Sequence, residues 1–346
     1  MKRIIDANLN RAVEASRILE EIARFYLNDG ELSEQFKKIR HEICQESDSD
    51  YSLLLKARDS QNDVGAEIKN PTERKSLENI FRANIKRLQQ ALRALSEYSC
   101  AGEINGSVFE SLRYLSYTLE KQMWEILCMK LNRLRLQDKK LYLVTNSDKF
   151  NSDDDFLNAV ASALQGGVQI VQLREKSASA SRIIELGKKI RELCSIYDAL
   201  FIINDRIDIA QIVEADGVHL GQDDIEIKSA REILGTNFII GISTHKPEQA
   251  LKAQEQGADY IGVGPVFETP TKQGRKAVGL DYVKWASENI NIPFFAIGGI
   301  DVLNVDEVIA SGAKRVAVVR AIINSDSPEK SAKLFLNKLN KIYCSK

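Results

Sequence analysis

The 346-residue sequence has few cysteines and almost no net charge, and each scarcity excludes a class of protein. Its five cysteines lie far apart and form no CxxC pair, so we expect thiols rather than a disulfide framework or a zinc site. The formal net charge of −1 argues against a nucleic-acid partner or an anionic membrane surface, because both usually require a basic surplus. Any anion that this protein binds must therefore be held by a local cluster of residues.

Long apolar runs and several catalytic motifs are also missing. Residues 1–17 carry charges with no apolar stretch between them, so we expect neither a signal peptide nor a membrane span, and we predict a cytoplasmic protein. The sequence has no GxGxxG dinucleotide motif, no P-loop and no Ser-His-Asp set. These absences exclude most hydrolases and redox enzymes.

Glycine and proline, both scarce in the first part, divide the chain into two predicted domains. Only four of the 19 glycines and one of the 6 prolines lie in residues 1–135, which predicts an all-α domain there, followed by a second domain over 136–346. We predict helices over the apolar periodic stretches 7–27, 76–99 and 108–136, the last running on toward the second domain. In the first helix, Asp6 is the expected N-cap, and the apolar face is expected to run from Leu9 to Phe25.

The helical domain contains an internal repeat with an offset of 76 positions. The repeated residues are Ala7, Asn8, Arg11, Ala15, Arg17 and Glu21, which return as Ala83, Asn84, Arg87, Ala91, Arg93 and Glu97. Two interpretations stay open. One is a surface helix with routine i,i+4 salt bridges, and the other is a pseudo-symmetric bundle whose two Arg/Asn faces form an anion pocket.

From Lys140 onward, short apolar strands alternate with amphipathic helices. Near-continuous runs of Val, Ile, Leu and Phe are typical of parallel strands buried on both faces. Eight strands and eight helices over about 200 residues predict an α/β domain of the (β/α)8 barrel type, with a doubly wound open sheet as the alternative. Polar residues at nearly every carboxyl end of a strand favour the barrel, whose active site lies at those ends.

The second strand ends in a basic cluster. Alternation along the strand places Gln172, Arg174 and Lys176 on one face, which directs two cations and an amide into the barrel mouth. A lone basic triplet at a strand end is usually solvated surface, but the neighbouring strand ends are polar as well. We therefore predict an anion site here.

Two carboxylates follow the third and fourth strands. Asp205 follows the third strand and Asp223-Asp224 follows the fourth, and carboxylates from neighbouring strand ends can share Mg²⁺, which takes one or two protein carboxylates and completes its shell with water and substrate phosphate. Each Asp is equally well interpreted as a helix N-cap. His219 is expected to pack or hydrogen-bond near the rim rather than to bind the metal.

The last three strands predict a second anion site. The loop over 264–272 offers two threonine hydroxyls and the Lys272 ammonium between two prolines. The glycines at 298–299 and the segment 318–322 follow strands seven and eight, where barrels usually bind phosphate. Two anion sites and one metal site around one mouth suit an electrophile with a metal-bound diphosphate and a second, phosphorylated nucleophile.

Across roughly residues 136–346 the motifs VQLREK, INDR, GVHLGQDD, GIST, GPVFETPTK and IGGI resemble the thiamin-phosphate synthase family in order and spacing. The resemblance implies a transferase that joins an aminopyrimidine diphosphate to a thiazole phosphate with Mg²⁺, with Asp205 and Asp224 as metal ligands. It implies catalytic roles for Arg174, Lys176, Ser243 and Lys272. The implied contacts to the pyrimidine diphosphate are Gln172, Leu173, Arg174, Glu175, Lys176, Asn204, Ser243 and Lys272, and those to the thiazole phosphate are Thr269, Pro270, Thr271, Gly299, Val319 and Arg320.

One residue departs from the family pattern. The family usually has Val-Ser-Ala-Ile where this chain has Val319-Arg320-Ala321-Ile322. A backbone N–H contact survives that change, and Arg320 replaces a serine hydroxyl contact with a charge-assisted one.

In the N-terminal part, the segments DANLNRAVEASRILEEIARF, ARDSQNDVG and RANIKRLQQALRALSEYS resemble a helical domain that is found fused beside this synthase and has been linked to phosphorylation of hydroxymethylpyrimidine phosphate. A kinase, a substrate-channelling domain and an assembly module all stay open for residues 1–135. For the barrel, a thiazole tautomerase-like relative is the alternative, and the Asp205/Asp224 pair favours the synthase. A homo-oligomer also stays open, and the expected partners are small phosphorylated substrates.

Overall fold

The computed structural model describes residues 1–48, 51–59, 62, 76–99, 104–269 and 276–341. The chain divides into two compact units, Met1–Leu127 and Cys128–Lys346. The division falls inside the helix Gly106–Gln137 rather than at the 135/136 boundary that the sequence predicts. Asn132, late in that helix, donates to the backbone carbonyls of Thr236 and Phe238, so its last turns pack with the second unit.

The first described helices confirm the predicted all-α region. They are α1 (Lys2–Glu21), α2 (Gly30–Asp48), α3 (Tyr51–Ala57), α4 (Leu77–Tyr98) and α5 (Gly106–Gln137), with a π-helical stretch (Ile22–Leu27) directly after α1. The predicted N-cap at Asp6 is wrong, because α1 begins at Lys2. Asp6 lies within the helix, where its carboxylate accepts two hydrogen bonds of 2.7 and 2.8 Å from the Arg58 guanidinium.

The π-helical stretch changes the predicted apolar face of the first helix. Leu9, Leu19 and Ile22 are buried as predicted, but Phe25 is 68% exposed. Phe25 lies within the π-helical stretch Ile22–Leu27, where the wider turn gives its side chain a direction different from the one that an α-helical spacing predicts. The prediction for Phe25 is therefore wrong.

The internal repeat is visible in two matched asparagines. Asn8 in α1 and Asn84 in α4 are both buried, and each donates from Nδ2 to the carbonyl four residues earlier at 2.8 Å. The repeated Arg-Glu pairs lie at the surface. In the pair Arg17–Glu21 the two side chains are 72% and 49% exposed, so these are the weak surface ion pairs of the simpler interpretation.

The second unit is a closed barrel of eight parallel strands in sequence order. The strands are β1 (Leu141–Val144), β2 (Ile170–Leu173), β3 (Leu200–Asn204), β4 (Gly217–Leu220), β5 (Ile239–Thr244), β6 (Tyr260–Val263), β7 (Phe294–Ile297) and β8 (Val316–Val318). The helices are α6 (Asp153–Gln165), α7 (Ala180–Ile196), α8 (Ile207–Ile212), α9 (Ile227–Leu234), α10 (Pro247–Glu255), α11 (Gly279–Asn289), α12 (Val305–Ala310), α13 (Arg320–Ile323) and α14 (Pro328–Lys341). Tyr142 of β1 pairs with Ala317 of β8, which confirms the barrel and excludes the open sheet.

Alternation along the strands produces two cores. In β3, Phe201 packs outward between the sheet and the helices, while Ile202 faces the barrel interior. In β1, Leu143 packs outward and Tyr142 inward in the same way. Full burial of a large apolar side chain stabilises the fold by about 1.5–3 kcal/mol, and truncating Phe201 to alanine is expected to cost about 3–5 kcal/mol.

Asp216, just before β4, holds the amino-terminal end of the barrel together. Its carboxylate accepts from the Phe201 backbone N–H at 2.8 Å and from Arg191 at 2.6 Å, and it pairs with Arg135. Burial tends to raise the pKa of Asp216, but these donors and the two cations outweigh it and hold the pKa below its ordinary value.

None of the helices in the described part of the chain has the length and apolar character of a membrane-spanning segment.

Candidate active site

A cavity of about 490 Å³ opens at the carboxyl ends of the strands. It brings together eight of the residues that the sequence predicts: Gln172, Arg174, Asn204, Ser243, Thr269, Gly299, Val319 and Arg320. They come from β2, β3 and β5 and from the segments after β6, β7 and β8, so residues nearly 150 positions apart meet in one mouth because the barrel closes. This is the location that parallel barrels give to their active sites.

Several predicted residues lie elsewhere. Leu173 is 1% exposed and packs outward against the helices, as alternation requires for the neighbour of Gln172. The Glu175 carboxylate accepts hydrogen bonds from the Ser147 hydroxyl at 2.7 Å and the Ser147 backbone N–H at 3.0 Å, which fixes the loop after β1. Lys176 is exposed. The predicted contacts Pro270, Thr271 and Lys272 lie outside the described residues.

The two predicted metal ligands lie beside each other. Partial burial, followed by hydrogen bonding and repulsion between its carboxyl group and that of Asp224, raises the pKa of Asp205 to about 6. Lys176 and Arg174 lie close enough to oppose this rise. Two adjacent carboxylates that destabilise each other form a donor set that a divalent cation would stabilise.

The alternative role of these carboxylates as helix caps does not match the structure. The cap residues of α8 and α9 are Arg206 and Glu226. Asp224 instead accepts a hydrogen bond of 2.6 Å from the Gly221 backbone N–H, which orients its carboxylate. Among the described residues no group of three or more His, Cys, Asp or Glu is placed to hold a metal, so a cation here would have few protein ligands. That is the usual coordination of Mg²⁺, and the residues fit it.

A glycine pair follows β7 at the cavity wall. Gly298 and Gly299 have φ angles of +104° and +67°, a region that side chains disfavour. A Cβ at Gly298 would lie 2.5 Å from Pro265 Cα, and one at Gly299 would lie 2.6 Å from Phe267 Cβ. Only glycine therefore lets this backbone line the cavity, where its N–H groups are available to an anion.

Arg320 lines the same cavity at the start of α13. Its side chain is exposed, and Val319, which directly precedes it, is the first residue after β8. A guanidinium and a glycine-rich backbone on neighbouring strands are the components of a phosphate site.

The sequence does not single out the floor of the cavity. Tyr142, Tyr260 and Phe295 point inward from β1, β6 and β7, and the Tyr142 and Phe295 rings meet edge to face with centroids 5.2 Å apart. His219 hydrogen-bonds both Tyr260 and Ser243, so it forms hydrogen bonds as predicted, but at the floor of the cavity rather than near the rim. The signal available in the sequence was the period-two alternation that places Tyr142 and Tyr260 on the inner face of their strands.

Sequence comparison extends this picture. A sequence model described as thiamine monophosphate synthase matches residues 141–322, which is the barrel up to α13. The chain belongs to this family. A second model, the ThiD2 family, matches residues 3–122 of the helical part.

Relatives of the thiamine monophosphate synthase family match nearly the whole chain. A thiamine-phosphate synthase from Nostoc punctiforme is 44% identical over 98% of this chain and 94% of its own length. One from Synechocystis is 45% identical over 98% of this chain and 96% of its own length. Their matches include the helical part, so the same two-part arrangement recurs in those proteins.

A solved structure from the family matches the barrel. Thiamine phosphate pyrophosphorylase from Pyrococcus furiosus is 37% identical, with a TM-score of 0.55, over 60% of this chain and 98% of its own. The helical part of the present chain therefore has no counterpart in that protein, whose full length is nearly covered by the match. The tautomerase-like alternative finds no support in these relatives.

Proposed function

We propose that this enzyme condenses 4-amino-2-methyl-5-hydroxymethylpyrimidine diphosphate with 4-methyl-5-(2-hydroxyethyl)thiazole phosphate to give thiamin phosphate and diphosphate. It is thus a transferase of thiamin biosynthesis. The observation that carries the proposal is one shared cavity, in which Gln172, Asn204 and the cationic Arg174 at the ends of β2 and β3 meet the glycine backbone and Arg320 after β7 and β8. Such a cavity accommodates two phosphorylated substrates side by side.

We assign the pyrimidine diphosphate to the first group of residues. Gln172 and Asn204 offer amides to the ring, and Arg174 offers a guanidinium to the diphosphate within the same cavity. Lys176 lies close enough to the carboxylate pair to affect the pKa of Asp205, and this proximity supports its assignment to the same diphosphate. Asp205 and Asp224 would hold Mg²⁺, whose chemistry when bound is to neutralise charge on the departing diphosphate.

We assign the thiazole phosphate to the second group. The backbone N–H groups of Gly299 and Val319 would bind phosphate oxygens, and the Arg320 guanidinium would add a charge-assisted contact. Thr269 contributes from the segment after β6, and Pro270 and Thr271 follow it in the same predicted contact set.

The chemistry that these residues support needs no protein nucleophile. The C–O bond between the exocyclic CH₂ of the pyrimidine and the diphosphate breaks, and the diphosphate leaves with the electron pair. The amino-substituted ring stabilises the positive charge that develops on the carbon, and the thiazole nitrogen forms the new C–N bond with its lone pair. Arg174, Lys176 and Lys272 act by stabilising the leaving group, while the cavity positions the two reactants.

The test is a direct assay of the purified full-length protein with both substrates and Mg²⁺. Thiamin phosphate and diphosphate are expected in equal amounts, and omission of either substrate or of Mg²⁺ should abolish both products. Arg174→Gln should lower turnover strongly, because it removes a cation without removing hydrogen-bonding capacity. The matched control is Arg182→Gln, an arginine on the outer helix α7 that pairs with Asp153 away from the cavity. A folded wild-type protein that forms no thiamin phosphate would refute the proposal.

A further inference from the structure

A continuous run of hydrogen bonds crosses the floor of the cavity, and the proposed reaction does not use most of it. Gln172 Nε2 donates to the Tyr142 hydroxyl at 2.7 Å, and the hydroxyls of Tyr142 and Tyr260 are 2.9 Å apart. The Tyr260 hydroxyl lies 3.0 Å from His219 Nδ1, and His219 Nε2 lies 2.9 Å from Ser243 Oγ. We call these five residues the floor network.

The floor network is built into the barrel rather than assembled by chance surface contacts. Its members come from five strands, β1, β2, β4, β5 and β6, and Tyr142, Tyr260 and Gln172 are each at most 3% exposed. Gly241 makes room for it, because a Cβ at that position would lie 2.0 Å from Tyr260 Cζ. The sequence thus leaves out a side chain in β5 where the Tyr260 ring must lie.

Both phenols keep their protons. Burial is the main cause that raises the pKa of Tyr142 and the pKa of Tyr260 well above the ordinary value for tyrosine. Each hydroxyl therefore carries one proton to donate. The direction of every bond in the floor network then depends on where those two protons go.

The Gln172 amide decides the direction. Because its Nε2 donates to Tyr142, the Tyr142 proton goes to Tyr260, which is the remaining hydrogen-bond partner of Tyr142 within the described part of the chain. The Tyr260 proton then goes to His219 Nδ1, which accepts it only when it carries no proton, so in this arrangement the ring proton of His219 is on Nε2. His219 Nε2 donates to Ser243 Oγ, so the Ser243 proton is left to donate elsewhere.

The opposite direction leaves a buried donor unsatisfied. If Ser243 donated to His219 and His219 to Tyr260, Tyr142 would accept from both Tyr260 and Gln172. Its own proton would then have no acceptor among the described residues, which is costly for a hydroxyl at 2% exposure. Reversal therefore requires the Gln172 amide to turn round as well.

We propose that the floor network fixes Ser243 as a hydrogen-bond donor and the Gln172 carbonyl as an acceptor, and so selects an aminopyrimidine over its oxo analogue. This inference rests on the proposed function. An aminopyrimidine presents an amino donor beside an unprotonated ring nitrogen, which matches an acceptor and a donor in the wall. The 4-oxo analogue presents the reverse pattern, a carbonyl acceptor beside a ring N–H donor. Its acceptor would face the Gln172 carbonyl and its donor would face the Ser243 hydroxyl proton. Tyr142, Tyr260 and His219 are positioning residues in this scheme.

The first readout is the tautomer of His219. The sequence has only 3 histidines, so the ¹⁵N imidazole spectrum of the labelled full-length protein is simple, and His219→Gln identifies the signal of interest. The neutral tautomer with the proton on Nε2 is expected. A proton on Nδ1 or a charged imidazolium would overturn the proposal, whether or not the enzyme makes thiamin phosphate.

The second readout is discrimination between substrate analogues. In the wild type, the amino and 4-oxo pyrimidine diphosphates should differ in affinity by at least about tenfold, measured by calorimetric titration of each with Mg²⁺. Tyr260→Phe should narrow that ratio by about three- to tenfold and raise the KM for the aminopyrimidine diphosphate, while the KM for the thiazole phosphate changes less than about twofold. His219→Gln, which keeps an amide donor near Ser243, should retain more discrimination than His219→Leu.

The matched control is Tyr282→Phe. Tyr282 is also a buried tyrosine, its hydroxyl donates to Thr244 Oγ1 at 2.8 Å, and burial raises its pKa to about 12, but it lies on α11 outside the cavity. This variant should leave the ratio unchanged. An unchanged ratio in folded Tyr260→Phe would overturn the proposal, and if that variant does not fold, the His219 tautomer decides. Failure of the wild type to make thiamin phosphate would instead refute the proposed function. The two outcomes are distinguishable, because the His219 tautomer and analogue binding are measured without turnover.

Discussion

Replacing Asp205 by asparagine is expected to stabilise the metal-free enzyme while removing its activity. The pKa of Asp205 is raised to about 6, so between its unfolded value near 4 and about 6 the folded state binds more protons than the unfolded state. The free energy of unfolding therefore falls as pH rises through that window. Above about pH 6 the full destabilisation is present, and an asparagine, which carries no charge, does not suffer it.

The structure sets the size of this effect. A difference of about two between the folded and unfolded pKa corresponds to roughly 3 kcal/mol. Asp205 is only half-buried, so solvent screening reduces the expected gain to about 1.5 kcal/mol. In a barrel of this size, 1 kcal/mol moves Tm by about 2–4 °C, so Asp205→Asn should raise Tm by about 3–6 °C at neutral pH.

Calorimetry of the full chain with and without excess Mg²⁺ measures the effect. In chelator, Asp205→Asn should melt above the wild type, and the difference should vanish below about pH 4. Mg²⁺ with diphosphate should raise the wild-type Tm but not that of the variant, and turnover of the variant should be mostly lost. The matched control is Asp223→Asn, because Asp223 is exposed and directly precedes Asp224. This variant should change neither the Tm nor the turnover. A lower Tm for Asp205→Asn in chelator, or full activity, would refute the assignment of this pair.

Three further outcomes are expected. A chain that starts near Leu136 should keep thiamin phosphate synthesis, but its Tm should be lower than that of a chain that starts at Cys128, because it lacks the hydrogen bonds of Asn132 to the barrel. A folded but inactive short chain would mean that the helical part contributes to the site. Arg320→Ser should weaken thiazole phosphate binding by about tenfold and leave pyrimidine diphosphate binding nearly unchanged, since charge-assisted hydrogen bonds are worth roughly 1.5–3 kcal/mol. If separate titrations give the variant the same affinity for the thiazole phosphate as the wild type, the guanidinium stays in solvent. The pKa of Asp216 is lowered, so this carboxylate stabilises the folded state above about pH 4, and the stabilisation is lost as pH falls through the folded pKa. Asp216→Asn should therefore make unfolding, followed by circular dichroism, depend less on pH in acid, and an unchanged pH dependence would contradict this.

Most of the fold follows from local patterns in the sequence. The alternation of short apolar strands with amphipathic helices predicts the barrel, and the period-two pattern in β2 correctly separates inward Gln172 from outward Leu173. Helix α2 is not among the predicted helices, although Leu32, Phe36 and Ile39 have a helical spacing and are buried. The many charges between them obscured that signal.

The features that the sequence did not predict depend on distant contacts. Tyr142 and Tyr260 are 118 positions apart, and nothing near either of them indicates that their hydroxyls meet. The partner of Asp6 is also distant, because within α1 its carboxylate accepts from Arg58, 52 positions away, which no local pattern around Asp6 indicates. The carboxylate pair is predictable because both members follow strand ends, and the barrel itself brings those ends close together.

The glycine pair after β7 has a consequence for how this enzyme tolerates mutation. At 298 and 299, positive φ and the nearby backbone leave no room for any side chain, so no single codon change that alters either residue keeps the wall intact. At 320 the side chain is exposed, and an arginine stands where the family pattern has a serine. The anion proposed to lie there is thus bound partly by backbone N–H groups and partly by the exposed side chain at 320, which can be replaced without a steric clash. A substitution at 320 should therefore change the affinity for that anion while the backbone part of its site stays in place.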